Sequence, residues 1–109
     1  MAEFAKLRVG LAQINPTVGA LRENAAKILD YYNQAADAGC DVVAFPELSI
    51  TGYPPEDLVL KQGFVAENQL VLSEIVKSIG ETFAVIGFVE QVKNLGSFTT
   101  QRQFARTRK

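Results

Sequence analysis

Three short apolar runs, held apart by two amphipathic stretches, set the limits on how this chain folds: LRVGLAQI at 7–14, VVAF at 42–45 and FAVIGFV at 83–89. In the first, Leu7, Val9 and Leu11 alternate with Arg8, Gly10 and Ala12, the period-two pattern of a strand. The other two are apolar at successive positions, which predicts strands covered on both faces. Leu21, Ala25, Ile28, Leu29, Tyr32 and Ala36 recur at helical spacing and predict a helix over about 21–38, stopped by Gly39. Phe64, Val71, Leu72, Ile75 and Ile79 predict a second over about 64–79, stopped by Gly80. Chain-breaking residues fall between these elements, in Asn15-Pro16-Thr17-Val18-Gly19 and in Leu48 to Pro55. Pro55-Glu56-Asp57-Leu58 reads as a short helical start. The order strand, helix, strand, helix, strand predicts an α/β layered domain with right-handed crossovers.

Composition narrows the classes of function. With 109 residues, 48% of them apolar and 21% charged, the chain suits one modest globular domain. No apolar run is long enough for a membrane span. Met1 to Arg8 lacks a signal-peptide core, so a cytoplasmic protein with no membrane partner is expected. The single cysteine, Cys40, has no disulfide partner within the chain. Histidine is absent, which removes the commonest general base and metal ligand, and no metal site is expected. No Gly-rich phosphate loop is present, so this chain is not expected to bind ATP. The net charge of −1 conceals a break: Arg102, Arg106, Arg108 and Lys109 lie in a stretch from Gly96 that holds no acid, leaving −5 for the rest. SFTTQRQFARTRK carries no apolar period and is expected to be a solvated basic tail. Four cations without an aromatic-lined basic face predict no nucleic-acid partner.

Glu47 is the sharpest candidate for chemistry. It follows an apolar strand, and in α/β sheets ligands gather at the carboxyl ends of strands. Flanked by Phe45, Leu48 and Tyr53, its carboxylate is expected to be partly desolvated, as suits a general base. The other reading of the same position is a loop glutamate bonded to nearby backbone amides. Tyr53 and Glu56 either line a substrate pocket or serve structure, Tyr53 by filling space and Glu56 by capping a short helix. Cys40 sits at a helix-to-strand turn, where a small thiol is packing material.

The segment VVAFPELSITGYPPEDL, Val42 to Leu58, resembles the signature around the first catalytic glutamate of the nitrilase, or carbon–nitrogen hydrolase, superfamily. Its GYPPEDL half is similar to the glutaminase domain of the glutamine-dependent NAD+ synthetases. So are AQINPTVG at 12–19, Ala38-Gly39-Cys40-Asp41 before the second strand, and IGFVE at 86–90. The likeness covers residues 7 to about 90. It implies a partial nitrilase-like layer of an α-β-β-α sandwich. Residues 1–95 would be the N-terminal part of the glutaminase domain, and 96–109 a basic tail outside the family pattern.

The resemblance also implies a chemistry of cysteine, lysine and glutamate. The thiol attacks the glutamine side-chain carbonyl, the glutamate takes the thiol proton and then activates water, and the lysine steadies the charged oxygen. Of the three, only Glu47 carries over. The family's lysine follows a fourth strand and its cysteine comes later still; Cys40, Lys61 and Lys93 match neither. In the family, which is homo-oligomeric, the ammonia reaches a separate domain that uses ATP and Mg2+ to amidate deamido-NAD. The expectation is therefore a glutaminase fragment that is inactive alone. Two alternatives stay open: a non-catalytic binding or regulatory module of the same fold, and a piece of another carbon–nitrogen hydrolase, such as an amidase acting on carbamoylated amines. Pro54-Pro55-Glu56-Asp57 argues against the amidase.

Two departures stand out. Ala20 replaces the acid expected after NPTVG, which removes a helix cap worth about 1 kcal/mol. The tail replaces a family strand like LYNAAAVLADGK. Its codons, read from the last base of the Ser97 codon, permit Leu, Tyr, Asn, Ala, Ala and then Ala, Val, Cys or Arg, Ala through Arg106. A reading frame shifted near Gly96 is thus expected.

Overall fold

The computed structural model describes residues 5–53, 63–92 and 97–105. Six elements follow in chain order: β1 (Val9–Leu11), α1 (Leu21–Asp37), β2 (Val42–Ala44), α2 (Phe64–Lys77), β3 (Phe83–Val92) and β4 (Ser97–Ala105). They form one four-stranded sheet in the order β1-β2-β3-β4. The first three strands are parallel, with Val9, Val42 and Phe83 in one row and Leu11, Ala44 and Val85 two residues further on. The α/β class and the expected succession of three strands and two helices hold.

Helix α1 starts at Ala20, which offers no side-chain cap, as its lack of an oxygen dictates. It stops where Gly39 takes φ +81, a left-handed turn that glycine adopts at little cost. α2 ends earlier than its periodicity suggests, at Lys77 with Ser78 as its cap. Gly80 does not stop the helix; its N–H donates to the Tyr32 hydroxyl (2.9 Å), which in turn donates to the Thr82 carbonyl (2.8 Å). That hydroxyl ties α1 to the α2–β3 connection. Arg22 and Glu74 pair α1 with α2 at the surface, where an exposed ion pair contributes at most about 1 kcal/mol.

The core lies on one side of the sheet. Ile28 and Tyr32 of α1 and Val71, Leu72 and Ile75 of α2 pack on Val43, Phe45, Ala84, Ile86 and Phe88. Strands alternate faces, so the opposite face carries the Val9 and Leu11 rows. Here the expectation of double coverage for the second and third strands fails. Val42, Ala44, Phe83 and Val85 are only half-buried, Val9 is 51% exposed, and Leu7 and Leu11 are 70% exposed. An unbroken apolar run tells that both faces are apolar, not that both are covered.

The tail is also corrected. Ser97–Ala105 is not an irregular tail but strand β4, antiparallel to β3 from Val92↔Ser97 to Ala84↔Ala105. β3 outruns β2, whose last partner on it is Val85, and its outer edge presents a row of backbone donors and acceptors. A second strand satisfies them whatever its side-chain period. The expected helical start at Pro55–Leu58, with Glu56, Lys61 and Lys93, lies outside the described residues. Among the described residues no helix is long and apolar enough to cross a membrane.

Candidate active site

The site is built on the turn that leaves β2. The Phe45 N–H still donates to the Val85 carbonyl (3.1 Å), and after Pro46 the chain folds into a turn over residues 47–51. The Gly52 N–H closes it on the Leu48 carbonyl (2.8 Å) and the Ser49 hydroxyl on the Pro46 carbonyl (2.5 Å). Leu48 is the one described residue other than glycine with positive φ, at +54. A left-handed leucine costs about 1–2 kcal/mol and persists only where its surroundings hold it. They do: its side chain is buried with Val65 and Val89. Asn68 braces this platform, its amide bonding both the carbonyl (2.5 Å) and the N–H (3.2 Å) of Val89, beyond the end of β2.

The turn rests on the open face of the sheet. A Cβ added to Gly87 would stand 2.8 Å from the Leu48 nitrogen, so only glycine admits the turn at this height. Glu47 borders a cavity of about 250 Å3 with Ala44, Phe45, Val85 and Gly87. Glu47 is exposed, less desolvated than its flanking residues suggest: Phe45 and Leu48 are themselves buried, and Tyr53 stands 64% exposed. Glu47 thus borders a concavity at the carboxyl ends of parallel strands, where a carboxylate can accept a proton from a molecule laid on the sheet.

A second loop locks onto the first. Gly52, at φ +80, passes so close to residue 18 that a Cβ on it would lie 2.6 Å from the Val18 Cα. The Gly19 N–H donates to the Thr51 carbonyl (2.8 Å). Asn24, wholly buried, accepts from the Thr17 N–H and donates to the carbonyls of Thr17 and Ile50, all at 2.8 Å. Sequence reasoning passed over Asn24, Asn68 and Gly87. The two asparagines had a signal: each lies on its helix's apolar stripe, Asn24 between Leu21 and Ile28, Asn68 between Phe64 and Val71. A polar residue there must find partners inside the protein.

Cys40 is far from this constellation. It is half-buried, its sulfur 3.2 Å from where a Cβ on Gly10 would be, in a hollow with Tyr31, Gln34 and Ala35 on the helical side. It precedes β2 whereas Glu47 follows it, roughly 20 Å along an extended chain.

A family model described as carbon-nitrogen hydrolase matches residues 8–91. The chain belongs to the carbon–nitrogen hydrolase family. This carbon–nitrogen hydrolase chain is 40% identical over 112 aligned positions to the glutamine-dependent NAD(+) synthetase of Xylella fastidiosa, an alignment with 98% of this chain and 20% of that protein. The crystal structure of a glutamine-dependent NAD(+) synthetase from Cytophaga hutchinsonii matches 94% of this chain and 17% of its own, with TM-score 0.86 and 26% identity. An amidase from Nesterenkonia sp. matches 88% of this chain and 37% of its own, with TM-score 0.68; at 19% identity the likeness is one of fold alone. The chain thus spans about a fifth of the length of the synthetases it is similar to.

Proposed function

We propose that this chain forms the first part of the glutaminase domain of a glutamine-dependent NAD+ synthetase, with Glu47 as general base. One observation carries the reading: the residue that matches the family's glutamate stands at the carboxyl ends of the parallel strands and borders a cavity on the open face. Identity to synthetases along nearly the whole chain supports glutamine as the substrate rather than another amide.

In this reaction a cysteine thiol gives its proton to Glu47 as the sulfur attacks the side-chain amide carbon of glutamine. The proton leaves with ammonia, and Glu47 then takes one from the water that opens the thioester. A lysine holds the tetrahedral oxygen. Neither the thiol nor the lysine has a counterpart at the matching positions of residues 1–109, so this polypeptide by itself releases no ammonia from glutamine. Deamido-NAD, ATP and Mg2+ belong to a separate synthetase domain of a homo-oligomeric, cytoplasmic enzyme. By the same likeness, Tyr53 and Glu56 are assigned to lining the substrate's path rather than to touching its reacting atoms.

The test is a hybrid in which residues 1–95 replace the matching segment of the Xylella enzyme. Glutamine-dependent NAD+ formation should be present. Glu47→Gln should lower it by about 10²- to 10⁴-fold, the usual worth of a positioned base, and leave formation from added ammonia intact. A Glu47→Gln hybrid that still uses glutamine refutes the reading. The tail has its own account: residues 96–109 are a family strand and its sequel read in a shifted frame. The support is the run of codons that the shifted frame permits, Leu, Tyr, Asn, Ala, Ala from the last base of the Ser97 codon. The encoding DNA decides: a stop codon within a few codons of the shifted frame rejects it.

A further inference from the structure

We propose that Asn24 is a positioning residue of this site, a side chain that fixes the Glu47 turn by joining it to the loop after β1. The inference rests on the general-base reading of Glu47. Both loops leave the carboxyl ends of neighbouring parallel strands, and they run in contact: Gly52 of the second has no room for a Cβ against Val18 of the first. Such close backbones need a fixed spacer. Asn24 supplies it, reaching from α1 to Thr17 on one loop and Ile50 on the other through three bonds of 2.8 Å, with no exposure to water. A buried amide with its donors and one acceptor engaged has one orientation. Ile50 lies three residues past Glu47 in the same closed turn, so the spacer's length sets where the carboxylate stands.

Two arms test it. In the 109-residue chain, Asn24→Ala should speed hydrogen exchange at the Gly19 and Gly52 amides by about tenfold or more, as expected of local opening. The Phe83 amide, bonded to the Asp41 carbonyl across the sheet, should keep its rate. Equal acceleration at all three, or none, overturns the proposal. Asn24→Asp preserves volume and the bond from the Thr17 N–H while losing both donations; it carries the same readout if the alanine variant fails to fold. In the hybrid synthetase, either variant should lower kcat for glutamine by roughly 10- to 100-fold, the scale of an ångström's misplacement. KM and ammonia-dependent turnover should hold, and Arg22→Ala should change neither rate. A hybrid with the unaltered segment that cannot use glutamine refutes the glutaminase reading and leaves the loop coupling to the exchange arm. An active hybrid whose kcat ignores Asn24 refutes the positioning role.

Discussion

Leucine at a left-handed position beside the candidate base is the most unusual single residue of the chain. At ordinary positions glycine is less stable than alanine, because it loses more backbone freedom on folding. At residue 48 the order should invert. Leu48→Ala and Leu48→Gly both lose the packing on Val65 and Val89, a loss of about 2–5 kcal/mol, but only alanine retains the φ +54 strain. Urea midpoints should place Leu48→Gly about 1 kcal/mol above Leu48→Ala, the lower end of the left-handed cost; the reverse order means that the turn is not strained. Little of this was legible beforehand. The FPEL motif marks the glutamate, but no periodicity announces a positive φ, and the need for glycine at 87 exists only once the turn is laid over it.

At the scale of elements, both helices and the three parallel strands follow from apolar period, because each buries one stripe or one face against its neighbours. Their ends were less legible: α2 stops two residues short of Ile79, and β1 is three residues long within an eight-residue pattern. β4 has no apolar period of its own to announce it. Its place is set by the free edge of β3, and an edge recruits backbone rather than side chains. The start of α1 is where sequence and structure agree and a gain is available. Ala20 leaves the first turn without a side-chain cap. Ala20→Asp should add about 1 kcal/mol through a cap bond and the helix dipole, raising Tm by about 4–8 °C for a domain of this size. Calorimetry that finds no rise shows that the aspartate does not reach the helix amides.

For the whole molecule, sidedness governs behaviour in solution. Exposed Leu7, Val9 and Leu11 continue into half-buried Val42, Ala44, Phe83 and Val85. Contiguous apolar surface of this kind promotes association. Sedimentation velocity of the 109-residue chain should show concentration-dependent association at about 10–100 µM, the range in which exposed apolar surface drives aggregation. Val9→Lys with Leu11→Lys should reverse much of it, since both residues lie on an edge strand, where lysine blocks pairing. A monomeric parent chain at those concentrations contradicts this view of the face.

The strand order β1-β2-β3-β4 repeats the chain order. Each strand therefore finds its neighbour already synthesised, and no segment has to be held open for one that arrives later. A chain leaving the ribosome can assemble this layer in the direction of its own synthesis, each helix closing over a pair of strands before the next is made.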